Sequence, residues 1–209
     1  MSIWKSSAAF GGMTMISRVL GFVRDMLLAR VFGASAAMDA FFVVFKIPNF
    51  LRRLFAEGAF QQAFVPVLSE YRETGTRAEL KDYVDHMFGT LAAVLVVVVS
   101  LGLAGAPLLV LLFAPGFTDD PAQRELAETM LLITFPYLLF ISLTAFAASS
   151  LNAFGRFAMP ALAPVWLNVS LIAATLIAAP FFEQPVMALA WGVFVAGILQ
   201  LFFLLPFLA

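Results

Sequence analysis

The chain has 209 residues, of which 63% are hydrophobic and 12% are charged, and it has no cysteine. A soluble domain is about half apolar and about a quarter charged, so this composition and a mean hydropathy of +0.99 exclude an ordinary soluble domain. The absence of cysteine excludes disulfide and thiolate chemistry. The net charge of −1 says little, because the charges are segregated along the chain.

The first two predicted membrane spans, residues 3–31 and 37–70, hold an unusual concentration of charge. Between positions 18 and 57 there are six basic and three acidic residues in otherwise apolar surroundings. Charge inside a bilayer is costly, so such residues line a cavity, find a partner or take part in function. The basic excess predicts a cavity for an anionic substrate. The nine residues are Arg18, Arg24, Asp25, Arg30, Asp39, Lys46, Arg52, Arg53 and Glu57.

Arg18 lies close to the midpoint of the first span. Arg18 and Asp25 share a helical face, whereas Arg24 points about 100° away from Asp25. One interpretation is an ion pair that fastens two helices, with Arg30 reaching the headgroups from the end of the span. The other is a polar cavity that Arg18 and Arg24 face. We expect the cavity, because the midpoint is too deep for Arg18 to reach the headgroups.

Pro48 interrupts the second span. Proline removes a backbone donor, so we expect a kink or a break near residues 46–47. The freed backbone groups need polar partners, which favours a water-filled or protein-lined site at this point.

Charged residues of the second span fall near one helical face. They are Asp39, Lys46, Arg53 and Glu57, and Arg52 projects beside them. A structural ladder of ion pairs, Asp39 with Lys46 or Arg53 with Glu57, explains this spacing as well as a substrate site does. Both interpretations stay open here, and they are compatible.

Residues 70–85 carry mixed charge and predict a solvated loop with a short amphipathic lead-in to the next span. Glu79, Asp82 and His86 have helical spacing, but they match no zinc motif, and a surface histidine beside acidic residues is far more common than a metal site. We therefore expect no metal and no cofactor.

Four further spans are predicted from long intervals without charge: 84–113, 124–151, 158–181 and 185–209. Asn168 and Gln200 are single polar residues in these intervals, and we expect them to form interhelical hydrogen bonds. Six spans result. The apolar end of the sequence suggests a fragment that stops near the end of the sixth helix.

The loop charges predict a cytoplasmic N-terminus. With that orientation the cytoplasmic side holds five basic residues and the other side holds two. The five are Lys5, Arg72, Arg77, Lys81 and Arg156, and the two are Arg30 and Arg124.

The charged spans contain a long motif, and shorter matches follow it along the chain. Residues 13–25 read MTMISRVLGFVRD, residues 39–49 read DAFFVVFKIPN, residues 51–60 read LRRLFAEGAF and residues 63–66 read AFVP; later come APGF at 114–117, TFPY at 134–137 and LN at 151–152. With these residues the whole chain resembles the MviN family of lipid II flippases, in the multidrug/oligosaccharidyl-lipid/polysaccharide exporter superfamily.

The resemblance implies a transporter of two six-helix lobes around a central cavity, of which this chain is the N-terminal lobe, the C-terminal lobe being absent. It implies transport of the undecaprenyl-diphosphate-linked peptidoglycan precursor lipid II across the bacterial inner membrane by alternating access. The expected partners are then lipid II, membrane lipid, the missing lobe and a membrane partner protein, and no nucleic acid is expected. Arg18, Arg24 and Arg52 match substrate-binding residues of the family. Asp25, Asp39, Lys46, Arg53 and Glu57 match gate or cavity positions.

Three alternatives were open from the sequence. The first is an exporter of another polyprenyl-linked glycan or of a drug, although a drug exporter favours acidic cavity residues. The second is a membrane enzyme acting on prenyl diphosphates, which needs paired carboxylates. Asp25, Asp39 and Glu57 are scattered among arginines, so we expect no enzyme. The third is an inactive lobe that serves as a binding target for a membrane partner.

Overall fold

The computed structural model describes residues 3–54 and 59–208, and in these ranges it contains helices and no β-strand. The all-α class is therefore confirmed. Short 3₁₀ and π turns join several of the helices. The α-helices in the described ranges are α1 (Ile3–Phe32), α2 (Ala36–Arg52), α3 (Ala59–Thr74), α4 (Arg77–Ala104), α5 (Ala106–Phe113), α6 (Pro121–Thr134), α7 (Tyr137–Ala153), α8 (Ala158–Ala173) and α9 (Met187–Leu204).

Local sequence signals set several helix ends. Gly33 follows α1 with φ 60°, a backbone conformation that favours glycine and ends a helix. Ser35 then caps α2, because its side chain accepts a hydrogen bond from the backbone N–H of Met38. At α4, Thr76 and Glu79 form a reciprocal capping box. The charged helices α1 and α2 are thus joined by a three-residue connection, 33–35, and meet at one end of the bundle.

The second predicted span differs from the expectation at Pro48. Helix α2 continues past this residue and ends at Arg52, so the chain is not broken at residues 46–47. The Asn49 side chain donates from Nδ2 to the Phe45 carbonyl at 2.8 Å, which supplies a donor within the turn that the proline disturbs. Helix α3 begins at Ala59, after residues 55–58, which lie outside the described ranges.

Helix α9 lies at the centre of the packing. It contacts α6, α7 and α8, and α2 packs against α6 and α7 on the other side of the core. Tyr137, Phe41, Phe135 and Phe146 are among the largest fully buried side chains. Helix α1 has its main contacts with α8, and between positions 11 and 32 most of its side chains are exposed.

Two arginines, one in the last turn of α3 and one in a loop, contact the ends of other helices. The Arg72 guanidinium donates to the carbonyl of Ala153 at the end of α7. Arg156, in the connection between α7 and α8, donates from Nη1 to the Phe207 carbonyl at 2.9 Å, after the end of α9. Terminal carbonyls of a helix lack intrahelical partners, so both contacts satisfy groups that would otherwise need water.

Three helical stretches in the described ranges are long and apolar enough to cross a membrane: Arg77–Ala104, Ala158–Phe181 and Met187–Phe207. Helices α6 and α7 meet at 41° and together form a fourth candidate. The bend falls at Phe135 and Pro136, and Pro136 cannot donate the backbone hydrogen bond that would keep the two helices in line. The six-span topology, with its boundaries at 3–31, 37–70, 84–113, 124–151, 158–181 and 185–209, stays a prediction.

Gly102 of α4 packs directly on the buried ring of Phe135. A Cβ at position 102 would lie 2.0 Å from Phe135 Cε1, whereas nothing lies within 4 Å of a Cβ at Gly89 on the same helix. We expect Gly102→Ala to destabilise the protein by about 1–3 kcal/mol through overpacking. Gly89→Ala, the matched control, should be neutral or stabilising by up to about 1 kcal/mol. Thermal unfolding midpoints in detergent measure both, and a Gly102→Ala midpoint at or above that of Gly89→Ala would contradict the packing.

Candidate functional site

A cleft of about 600 Å³ opens between the end of α1 and the start of α2. Three of the predicted site residues line it: Arg24 and Asp25 from α1 and Asp39 from α2. The apolar side chains of Leu28 and Phe42 complete much of its wall. The cleft therefore combines one cation, two carboxylates and an apolar lining, at the point where the short connection brings the two charged helices together.

Arg24 is held on two sides. Its Nε donates to Asp25 Oδ1 at 2.9 Å, and Nη2 lies 2.7 Å from the same oxygen. Its Nη1 donates to Asn168 Oδ1 at 2.8 Å. A guanidinium has five N–H groups, so one on each nitrogen is engaged and two remain for another acceptor. The Arg24 side chain is 21% exposed and that of Asp25 is 64% exposed, so the carboxylate is the open member of the pair.

Asn168 connects the charged helix to α8. Besides accepting from Arg24, it donates from Nδ2 to the Ser17 carbonyl of α1 at 3.0 Å. Gly21 lies against this amide, and a Cβ there would come within 3.7 Å of Nδ2. The prediction that Asn168 forms interhelical hydrogen bonds is confirmed.

Arg18, Lys46 and Arg53 lie outside the cleft. Arg18 is exposed on α1, six residues before Arg24, which is about 9 Å along the helix. Lys46 and Arg53 are exposed on α2, along the same side as Asp39 and together with Phe42. The prediction that the charged residues of α2 share one face agrees with this exposure, while α2 buries Phe41, Val44 and Ile47 on its other side.

Arg52 lies on a different side of α2 and is half-buried. Phe45 of α2 lies beside the buried Tyr137 of α7, with their ring centroids 6.3 Å apart. Tyr137 donates to Gln200 Oε1 at 3.4 Å, and Gln200 Nε2 donates to the Ala163 carbonyl at 3.0 Å. The chain of contacts links α2 through α7 and α9 to α8, and it confirms the interhelical role predicted for Gln200. Gly197 permits it, because a Cβ there would meet Tyr137 Cδ2 at 2.7 Å.

The structure shows which of the predicted ion pairs form among the charged residues of α1 and α2. Within the described ranges Asp39 and Lys46 form no ion pair, because seven residues of α-helix place them about 10 Å apart along the axis. Glu57 lies outside the described residues, so its pairing with Arg53 and its place in the site stay predictions. The observed ion pair of α1 joins Arg24 to its neighbour Asp25 on the same helix, and Asn168 provides the link between helices.

The acidic residues at the start of α4 have structural roles. Glu79 belongs to the capping box, and His86 Nδ1 lies 3.2 Å from Asp82 Oδ1 and 2.8 Å from the Asp82 carbonyl. In the part of the chain that the structure describes, no three His, Cys, Asp or Glu side chains are grouped so that they could hold a metal ion.

Chemically, the cleft is suited to exchange between anions. Two free N–H groups of Arg24 can donate to phosphate oxygens, for which the planar guanidinium has the right geometry. Asp25 and Asp39 stand beside them as competing or repelling charges.

Tyr137 was not singled out from the sequence as a site residue. Its signal was a polar aromatic residue after a proline in the TFPY segment, but only the fold shows that it is buried and bonded to Gln200.

Comparison with known proteins gives the family. The family model for lipid II flippase MurJ matches residues 28–209. The lipid II flippase MurJ of Burkholderia cenocepacia is 48% identical over 206 residues, which cover 99% of this chain and 40% of the relative. The probable lipid II flippase MurJ of Vibrio cholerae is 46% identical over 211 residues, covering 98% of this chain and 40% of the relative.

The fold agrees with these sequence matches. A solved structure of lipid II flippase MurJ in an inward closed conformation is similar with a TM-score of 0.80 and 32% identity, covering 94% of this chain and 41% of that one. The chain spans about 40% of the length of the curated relatives it matches. From the family model, the relatives and the shared fold, this chain belongs to the lipid II flippase MurJ family.

Proposed function

We propose that this chain forms the N-terminal six-helix lobe of a two-lobe flippase that moves lipid II, the polyprenyl-diphosphate-linked peptidoglycan precursor, across the bacterial inner membrane. The protein is then a transporter and not an enzyme. The observation that carries the proposal is the Arg24–Asp25 pair in an open cleft of an otherwise apolar helix bundle. The names of the relatives supply the substrate class.

The diphosphate binds Arg24 by replacing Asp25. Asn168 holds one side of the guanidinium in place during this exchange, because its hydrogen bond uses Nη1 and leaves Nε and Nη2 for the incoming anion. Asp25 is mostly exposed, so it can turn toward water while the phosphate is bound. When the substrate leaves, the ion pair re-forms. Release is then an exchange of one anion for another and leaves no isolated charge in the membrane.

The cations are spread along the path of the headgroup. Thirteen residues of α2 separate Asp39 from Arg52, which is about 20 Å along the helix. Arg18 lies on α1 about 9 Å from the level of Arg24. A diphosphate thus meets Arg18, Arg24 and Arg52 at different depths, in an order set by alternating access of the two lobes. The polyprenyl tail stays in lipid and needs no site of its own.

The remaining charged residues act on the gate between the lobes. Asp39, Lys46 and Arg53 are exposed and form no ion pair within the described ranges, so they are available to charges of the second lobe. Glu57 belongs to this set by its position in the sequence. The basic loops place the N-terminus on the cytoplasmic side.

The exposed side of α2 should face water, whereas the exposed side of α4 should face lipid. The chain has no cysteine, so single cysteines report on each position separately. Phe42 on α2 is 45% exposed and Val97 on α4 is 57% exposed. A charged maleimide reacts with the thiolate, which forms only where water is present. In membranes, Phe42→Cys should react at least about tenfold faster than Val97→Cys, since thiolate formation is suppressed in lipid. Equal rates would show that α2 faces lipid and would remove the aqueous cleft.

The substrate arginines should be needed for flipping. In cells depleted of their own flippase, the full-length protein carrying Arg18→Ala, Arg24→Ala or Arg52→Ala should expose lipid II on the outer leaflet about 10–100-fold more slowly than the parent. A hydrogen bond to a charged group contributes about 1.5–3 kcal/mol, which corresponds to this range. Arg30→Ala, an exposed arginine of the same helix outside the cleft, is the matched control and should retain transport.

Protein amounts in the membrane are measured beside transport, so that loss of folding is not read as loss of activity. If all four well-expressed variants flip lipid II like the parent, the arginines are structural, and α1 is fastened to the bundle without taking part in binding.

Reversing the charge of Asp39 should abolish flipping. Lysine at this position adds a second cation to the Arg24 cleft, so the substrate is bound without release and the gate to the second lobe loses its carboxylate. Asp119→Lys, an exposed acidic residue in the 3₁₀ turn before α6, is the matched charge reversal and should leave exposure of lipid II unchanged. Normal transport by a well-expressed Asp39→Lys variant would rule out the gate role.

A further inference from the structure

A second charged cavity, of about 670 Å³, lies at the start of α4. The connection between α7 and α8 and the turns after α9 form its other walls. Its lining contains three cations, Arg77, Lys81 and Arg156, and one carboxylate, Asp85. None of the proposed substrate residues lines it, so it is separate from the cleft around Arg24.

Two of these cations are available for a ligand. Arg77 and Lys81 are one helical turn apart and make no hydrogen bond or ion pair with the described residues. Arg156 is anchored from another element, because its Nη1 donates to the Phe207 carbonyl. Three cations and one carboxylate give the cavity a formal charge of +2. Positive charge converges here from two separate segments of the chain.

The stability of α4 does not explain this arrangement. The positive end of a helix dipole lies at the N-terminus, so cations in the first turns are unfavourable there. Capping is already complete without them, because Thr76 and Glu79 satisfy each other's groups in the capping box. Arg77 and Lys81 therefore gain no local partner from their positions, and an external anion would remove the repulsion between them.

An apolar stripe runs beside the charged stripe. Leu80, Val84 and Phe88 follow one another at four-residue spacing on α4, and Phe154 lies on the opposite wall. From Arg77 to Phe88 the helix rises about 16 Å. The cavity therefore offers positive charge near the loop end of α4 and apolar surface toward the membrane interior, which is the polarity of a phospholipid.

We propose that this cavity binds an anionic phospholipid, with the phosphate between Arg77, Lys81 and Arg156 and an acyl chain along Val84 and Phe88. Basic pockets between transmembrane helices bind anionic headgroups in this way. A free phosphate shares the headgroup chemistry but makes no use of the apolar stripe. The lipid fills both parts of the cavity and lies between α4 and the end of α9.

The test uses the full-length protein, delipidated in detergent and titrated with phosphatidylglycerol or phosphatidylcholine while native mass spectrometry counts bound lipid. Phosphatidylglycerol should bind more tightly. Arg77→Gln and Lys81→Gln should each weaken it about fivefold, the contribution of one basic residue to an anionic surface. Lys81→Arg should retain binding, because the charge is kept. Arg30→Gln, the same charge change at an exposed residue outside the cavity, is the matched control.

Three outcomes would overturn the assignment. Equal affinity for the two lipids would show that the cations do not select the headgroup. Parent-like binding by both glutamine variants would place the lipid elsewhere. Displacement of phosphatidylglycerol by glycerol phosphate at equal concentration would show that the apolar stripe contributes nothing and that the ligand is a free anion. Thermal midpoints of the variants should stay at the parent value, since neither side chain has a contact to lose.

Discussion

The charged helix α1 depends on one amide for its position in the bundle. Asn168 Oδ1 accepts from Arg24 and its Nδ2 donates to the Ser17 carbonyl, so a single side chain of α8 contacts α1 at two levels. An interhelical hydrogen bond inside a membrane contributes about 0.6 kcal/mol on average and up to about 1.7 kcal/mol, which is modest. Its larger effect is on geometry: it fixes the rotation of α1, and with it the direction in which Arg24 presents its remaining N–H groups.

The bundle divides into an apolar half and a charged half. Helix α9 buries ten of its eighteen residues, including Gln200, whose amide is satisfied by Tyr137 and the Ala163 carbonyl. Helix α1 buries only Leu28 between positions 11 and 32. Tight packing on one side supplies a fixed support, and the charged side is left exposed. Asn168 and Gln200 each form hydrogen bonds to other helices, so these two amides help to specify which helices meet.

Hydrophobic periodicity in the sequence predicts which side of a helix is buried, but it does not predict which neighbouring helix packs on that side. The shared exposure of Asp39, Lys46 and Arg53 and the interhelical roles of Asn168 and Gln200 were predictable, since a polar residue in an apolar span has few other options. Three features were not. Asp25 pairs with the adjacent Arg24, α2 continues through Pro48, and Tyr137 bonds to Gln200. These three features depend on which helices pack together and on which side chain supplies a donor near the N–H that proline lacks. Both are properties of the fold.

Two of the basic residues that predict the topology, Arg72 and Arg156, also contact other helices in the folded protein. Basic residues in short loops orient a membrane protein during insertion, before the helices have packed. In the finished structure the same two guanidinium groups are bound to the carbonyls of Ala153 and Phe207, at the ends of other helices. The charges that predict the orientation of the chain thus also hold the folded helices together. Moving such a charge to the opposite side of the membrane would remove a contact between helices in the same step.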